Sequence, residues 1–225
     1  MIGVFDSGVG GICAFREIRR LLPREDVVYL ADRKNAPYGT KTKDEIIALT
    51  KADIKKLKTV GATKILIACC TASTVYDSLD DGEKEISLPI IRPAAEKAVR
   101  GARKIAVIAT ERTVSSGAFT REISRLGNMP VGEFAAQKLV ALVEGGCRDG
   151  RLTDECEKEI DRVAELVRGF GADTLILGCT HFSHLENQLR QRCNVRTVSP
   201  AREGAIALVK QIQKFRKENG RTIYM

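Results

Sequence analysis

An α/β fold with mainly parallel sheets, built as two related halves, is what the 225-residue sequence predicts. Two observations point to it. Short apolar runs alternate with longer amphipathic stretches along the whole chain, and one segment recurs 110 residues after its first appearance. The runs fall at residues 2–5, 27–30, 64–68, 88–91, 104–109, 174–177 and 195–198. Continuous apolar runs of this length mark strands buried on both faces, as in a parallel sheet.

The stretches between them read as helices. Residues 42 to about 60 open with Thr42-x-x-Glu45, a capping box, and set Ile46, Leu49, Ile54 and Leu57 at helical spacing. Ser183-x-x-Glu186 reads as a second capping box. A last helix, from Glu203 to about Phe215, places Ile206, Val209 and Ile212 on one face. Strand–helix alternation of this kind is the pattern of α/β proteins. No Pro/Gly/Ser-rich or low-complexity stretch separates the halves, so two lobes would be closely joined.

The repeat is the most informative feature. Gly61-Ala62, Leu66-Ile67 and Cys69 return as Gly171-Ala172, Ile176-Leu177 and Cys179. A weaker match relates Ile2 to Asp6 and Phe15 to Ile18 with Ile105 to Ala109 and Phe119 to Ile123, at offsets of 103 to 105. Each half therefore ends a buried strand with a cysteine.

Composition narrows the function classes. With 44% hydrophobic and 29% charged residues, the chain is neither disordered nor fibrous. No apolar run approaches the ~18 residues of a membrane helix, and the N-terminus has no signal-like basic and apolar regions, so a cytoplasmic protein is expected. The net charge of +8 is spread over helix-like stretches, with aromatics at 5% and no Trp. A nucleic-acid partner would want a basic stripe interleaved with aromatics, so that role is disfavoured. The seven cysteines are odd in number and match no zinc spacing. They read as free thiols in a reducing compartment, with no metal site.

Cys69 and Cys179 carry the candidate chemistry. Ligands of open parallel sheets bind beyond the carboxyl ends of the strands, where both cysteines stand. Each precedes a helix, whose N-terminal dipole is expected to lower the thiol pKa. Facing each other across a cleft, one thiolate removes a proton from a carbon and the opposite thiol returns one to the other face. That inverts a stereocentre. The bland reading of each is a small buried hydrophobe, as free cysteines commonly are. Asp6 and Ser7 end the first strand, and Gly8, Gly10 and Gly11 form a turn whose N–H groups suit a carboxylate. The turn is not a dinucleotide fingerprint, because Cys13 stands where the third glycine would be. Asp6 either orients a reacting group or caps the next helix. His181, two residues past Cys179, is placed to be its acid–base partner.

These residues resemble the glutamate racemases of the aspartate/glutamate racemase superfamily. FDSGVGG (5–11), NAPYG (35–39), ACCTA (68–72), TVSSGAF (113–119), LVALVEGG (139–146) and GCTHF (178–182) stand in the family's order and at similar spacing over nearly the whole chain. His181 points to the glutamate branch, since the aspartate branch tends to have Glu there. The resemblance implies two pseudo-symmetric, doubly wound α/β domains with the active site in the cleft between them. The first would comprise residues 1–92 and 201–225 and the second residues 93–200. It also implies cofactor-independent, two-base racemisation of glutamate, supplying D-glutamate for peptidoglycan, by a homodimer.

The resemblance matches Cys69 and Cys179 to the catalytic cysteines and Asp6, His181 and Glu144 to acid–base helpers. It matches Asp6, Ser7, Pro37, Tyr38, Gly39, Cys70, Thr71, Thr180 and His181 to substrate-binding positions, with Thr113 at a substrate carboxylate. There are departures. Cys70 replaces the family's Asn, and exchanging an amide for a weak thiol loses a hydrogen bond worth about 1.5–3 kcal/mol to a charged group. Ala136-Gln137 replaces a Cys-Pro pair and reads as variation in the wall. Ser199-Pro200 replaces an Asp-Ser, and the chain is short for the family, which suggests trimmed loops or a shortened C-terminal region. Cys70 keeps open a racemase for another, aspartate-like amino acid. A non-catalytic amino-acid-binding relative is the other alternative.

Overall fold

The computed structural model describes residues 1–218 of the chain. Eight strands form two four-stranded sheets in which every pairing is parallel. The first holds β1 (Ile2–Asp6), β2 (Val27–Ala31), β3 (Lys64–Ile67) and β4 (Ser87–Pro89) in the order β2-β1-β3-β4. The second holds β5 (Ile105–Ala109), β6 (Val131–Ala135), β7 (Thr174–Gly178) and β8 (Arg196–Val198) in the order β6-β5-β7-β8. The two orders are the same, so the repeat seen in sequence is a repeat of topology. In each sheet the winding reverses between the first and third strands, β1 and β3 or β5 and β7. A crevice opens beyond the strand ends at such a switch point.

Successive residues of the central strands serve different cores, as the two-residue period requires. Ile2 and Val4 of β1, Leu66 of β3, Ile105 and Val107 of β5 and Ile176 of β7 meet in one apolar cluster shared by both sheets. Phe5, Ile65 and Ile67 point to a second cluster, and Ala106, Ile108, Leu175 and Leu177 to a third. The shared cluster joins the halves without a linker. The C-terminal helix Pro200–Glu218 closes it with Ala201, Ala205, Leu208, Val209 and Ile212. That helix packs on the helices Ile12–Leu21 and Ile91–Ala98. Positions 219–225 of the expected first domain lie outside the described residues.

The helix Lys43–Thr59 forms with its expected capping box. Glu45 N–H donates to Thr42 Oγ1 (3.3 Å), and Thr42 N–H donates to Glu45 Oε2 (2.8 Å). Thr42→Ala is therefore expected to cost about 1 kcal/mol in urea unfolding, with the slope unchanged.

Three expectations need correction, and one strand was not anticipated. Ser183 caps no helix: it lies inside a 3-10 segment, Thr180–Leu185, with its hydroxyl 3.2 Å from that of Ser199. Glu186 instead accepts from Thr197 and Arg202. The fourth strand stops at Pro89, which can sit at the end of an edge strand because it has no N–H to place in a ladder. Ile91 already begins the next helix, and Ile90 N–H donates to Ser73 Oγ (3.2 Å). The last helix starts a turn earlier than expected, because Pro200 suits the first helical position and Ser199 Oγ accepts from Arg202 N–H. Strand β6 gave no apolar run. It is a half-exposed edge strand whose pairing with β5 is continuous but whose apolar run is broken by Gly132 and Glu133.

Candidate active site

Strands β1 and β3 of one sheet and β5 and β7 of the other deliver their following residues to one narrow cleft with only about 20 Å³ of free space. That is room for about one water molecule and far below the ~300–1,000 Å³ of an open small-molecule site, so the walls of this cleft stand closed on one another. Cys69 and Cys70 follow β3, Cys179 follows β7, and Thr110 follows β5. All four line the cleft, as do Ser7, Pro37, Tyr38, Gly39, Thr71, Glu144, Thr180 and His181. A more open cavity near Tyr76, Arg92, Arg121 and Arg125 has neither thiol nor histidine in its wall.

The two thiols occupy equivalent places. Cys69 Sγ accepts from Ala72 N–H (3.4 Å) and lies 3.4 Å from Ser7 Oγ. Cys179 Sγ lies 3.5 Å from His181 Nδ1. The His181 Nε2 atom stands 3.3 Å from Glu144 Oε1, an ion-pair distance, but off the line needed for a hydrogen bond. The sulfurs are close enough that charge on Cys69 raises the pKa of Cys179.

The expected lowering of the thiol pKa values is not found. Only four helical residues follow Cys69, and a 3-10 segment follows Cys179. Burial outweighs these short dipoles: it pushes Cys69 up to about 11, and the Asp6 charge adds to the rise. Cys179 and Cys70 are also raised, first by burial. Without substrate, then, the thiols are protonated at neutral pH. Iodoacetamide labelling of Cys69, followed by mass spectrometry, is expected to be slow at pH 7. It should rise about tenfold per pH unit until near pH 11. A plateau near pH 8 would show an ordinary, solvated thiol.

Asp6 sits behind the wall and organises it. Its Oδ2 accepts from Gly8 N–H and Gly11 N–H, both at 3.1 Å. The turn expected to hold a substrate carboxylate thus holds the protein's own. Thr180 Oγ1, from the other sheet, donates to Asp6 Oδ1 (3.4 Å). Gly10 makes this crossing possible: a Cβ there would lie 2.2 Å from Thr180 Oγ1 and 3.0 Å from His181 N. Tyr29 fixes the turn from outside, its hydroxyl donating to Gly8 O (2.9 Å).

The opposite wall is a ring of hydroxyls. Thr71 Oγ1 lies 3.2 Å from those of both Thr110 and Thr113, and Thr110 donates to Thr113 at 2.9 Å. Thr113 stands one layer behind the other two. Hydroxyls can turn their protons toward an incoming carboxylate. Tyr38 contributes its ring and backbone, because its hydroxyl is committed to Asp32 (2.7 Å) and Asp53 (3.0 Å).

The family model for Asp/Glu/hydantoin racemases matches residues 14–208, most of the chain. The chain belongs to the Asp/Glu/hydantoin racemase family. This racemase is 39% identical over 194 residues to the glutamate racemase of Desulforudis audaxviator, covering 84% of the chain and 70% of that relative. Its fold is similar to the crystal structure of glutamate racemase isoform RacE1 from Bacillus anthracis, with TM-score 0.85, 28% identity, and 98% and 82% of the two chains covered. It is similar also to the glutamate racemase of Francisella tularensis in complex with D-glutamate, with TM-score 0.87, 26% identity, and 100% and 84% covered. The protein is accordingly an amino-acid racemase, an isomerase. Among the described residues no helix is long and apolar enough to cross a membrane.

Ala36, Thr110 and Val140 line the cleft without having been expected as site residues, and Gln137 was expected only as variation in the wall. Thr110 had a signal, the Thr110-x-x-Thr113 spacing directly after a strand. Val140 and Gln137 share the inward face of the helix Gln137–Glu144 with Glu144, a spacing readable only once that helix is known to border the cleft.

Proposed function

We propose that this racemase interconverts L- and D-glutamate without a cofactor, using Cys69 and Cys179 as the two bases. The observation behind the reading is that these thiols end equivalent strands of two like sheets and border one cleft. The relatives named glutamate racemase supply the substrate. One thiolate takes the α-proton, and the opposite thiol protonates the carbanion on its other face. Following the family resemblance, Cys179 abstracts from L-glutamate and Cys69 from D-glutamate.

His181, beside Cys179 and backed by Glu144, accepts the thiol proton when Cys179 must become the base. Asp6 serves the Cys69 side, where Ser7 steadies the sulfur. Burial makes each thiolate a stronger base once formed, which suits removal of a weakly acidic α-proton. The hydroxyls of Thr71 and Thr110, with Thr113 behind them, are available to a substrate carboxylate. On this reading the product D-glutamate serves peptidoglycan synthesis, and the enzyme works in the cytoplasm as a homodimer.

Proton NMR of the protein with L-glutamate in D2O, under reducing conditions, tests the reading. The α-proton signal should disappear while D-glutamate accumulates. A folded protein that leaves the signal intact would refute glutamate racemisation. Cys70 in the cleft wall motivates one second reading, an aspartate-like substrate, which exchange of aspartate but not glutamate would establish.

A further inference from the structure

The helix Gln137–Glu144 turns one face to the cleft, with Gln137, Val140 and Glu144 at positions i, i+3 and i+7. Val140 supplies apolar surface, and Glu144 faces His181. Gln137 brings the only carboxamide among the described lining residues. Its Oε1 is buried and has no hydrogen-bond partner among them. Buried amide atoms are nearly always paired. The amide also spans the boundary between the halves: a Cβ on Gly39 would lie 3.0 Å from Oε1 and 3.1 Å from Thr110 Cβ. A packed, unpartnered amide in a substrate cleft is a group awaiting a ligand.

The charge of the cleft indicates which ligand group it meets. No lysine or arginine is among the lining residues, while Glu144 is, and Asp6 stands directly behind. Every amino acid brings a carboxylate, and an acidic one brings two. Neutral N–H and O–H donors must hold them. A half-turn about the last side-chain bond of Gln137 exchanges its oxygen and nitrogen, so the amide can present a donor.

We propose that Gln137 contacts the substrate, its Nε2 donating a hydrogen bond to a carboxylate of the bound acidic amino acid. This rests on the racemase reading of the same cleft. Gln137→Leu keeps the size and removes the amide. Gln137→Glu keeps the size and sets a negative charge against the carboxylate.

Calorimetric titration with L-glutamate, alongside α-proton exchange in D2O, separates binding from turnover. Gln137→Leu is expected to raise Kd and KM about 10- to 100-fold with kcat little changed, as for a lost hydrogen bond to a charged group. Gln137→Glu should raise them further at pH 8 and recover part of the loss toward pH 5. Melting temperatures should stay near the wild-type value, and Gln137→Met replaces Leu if that variant fails to fold. Kd and KM within threefold of wild type for Gln137→Leu would overturn the proposal. So would tighter binding by Gln137→Glu, the result expected if the oxygen held the substrate ammonium instead. A wild-type protein that binds glutamate without exchange refutes racemisation alone, and the Kd comparison still decides Gln137. One that binds no amino acid refutes both.

Discussion

Cys69→Ser and Cys179→Ser should each lower racemisation of glutamate by about 10²- to 10⁴-fold, the usual worth of a positioned acid or base. The loss in kcat/KM must be equal in the two directions for each variant, because the enantiomers have equal free energy. Hydrogen exchange breaks that symmetry. With Cys69→Ser, Cys179 can still remove the α-proton of L-glutamate and return a solvent deuteron to the same face. L-Glutamate should therefore lose its α-proton without becoming D-glutamate, while D-glutamate keeps its own. Cys179→Ser should show the mirror result. Exchange surviving for both enantiomers in either variant would sink the two-base assignment. The alternative view of these cysteines as mere core filling predicts no enantiomer preference at all.

Asp6→Asn separates chemistry from stability. The buried carboxylate accepts two backbone N–H bonds and one from Thr180. Burial nevertheless raises its pKa; the His181 charge, then the bonds from Gly11, Gly8 and Thr180, oppose the rise. In the unfolded chain an Asp ionises near 3.9. Between that pH and the higher folded pKa, the folded state binds the proton and the unfolded state does not. Stability therefore falls as pH rises through this window, and the full penalty persists above it. Asparagine carries no charge at any pH, and its oxygen can still accept from the Gly8–Gly11 turn. The variant should be at least as stable as wild type at pH 8 and lose that advantage near pH 4. Racemisation should nonetheless fall by about 10²- to 10⁴-fold. Thermal melts at both pH values, with the exchange assay, check the pair of expectations. Unchanged activity would remove Asp6 from the reaction, and a large loss of stability at pH 8 would make it a structural cap.

Much of the frame was legible in residue order. Continuous apolar runs marked six of the eight strands to within a residue or two and located a seventh, whose end was misplaced by Pro89. The repeat around Cys69 and Cys179 anticipated two sheets of like order, because parallel strands buried on both faces tolerate only apolar residues. β6 escaped because a half-exposed edge strand needs no such run. The Ser183 motif misled because a capping box is local chemistry, and the hydroxyl found a partner in Ser199, distant in sequence.

By itself, then, the sequence determined the α/β class, the two halves, the paired cysteines and the motifs that carry the family likeness. All of these follow from short-range patterns of hydrophobicity and from residue identity. Only the tertiary structure decided the protonation of the thiols, since burial by distant elements exceeds the dipole of a four-residue helix. It alone turned the glycine-rich turn onto Asp6, committed the Tyr38 hydroxyl to Asp32 and Asp53, and set Gln137 against Gly39. Each of these depends on groups brought together across the boundary between elements, where desolvation and hydrogen-bond competition are settled by packing rather than by neighbours in the chain.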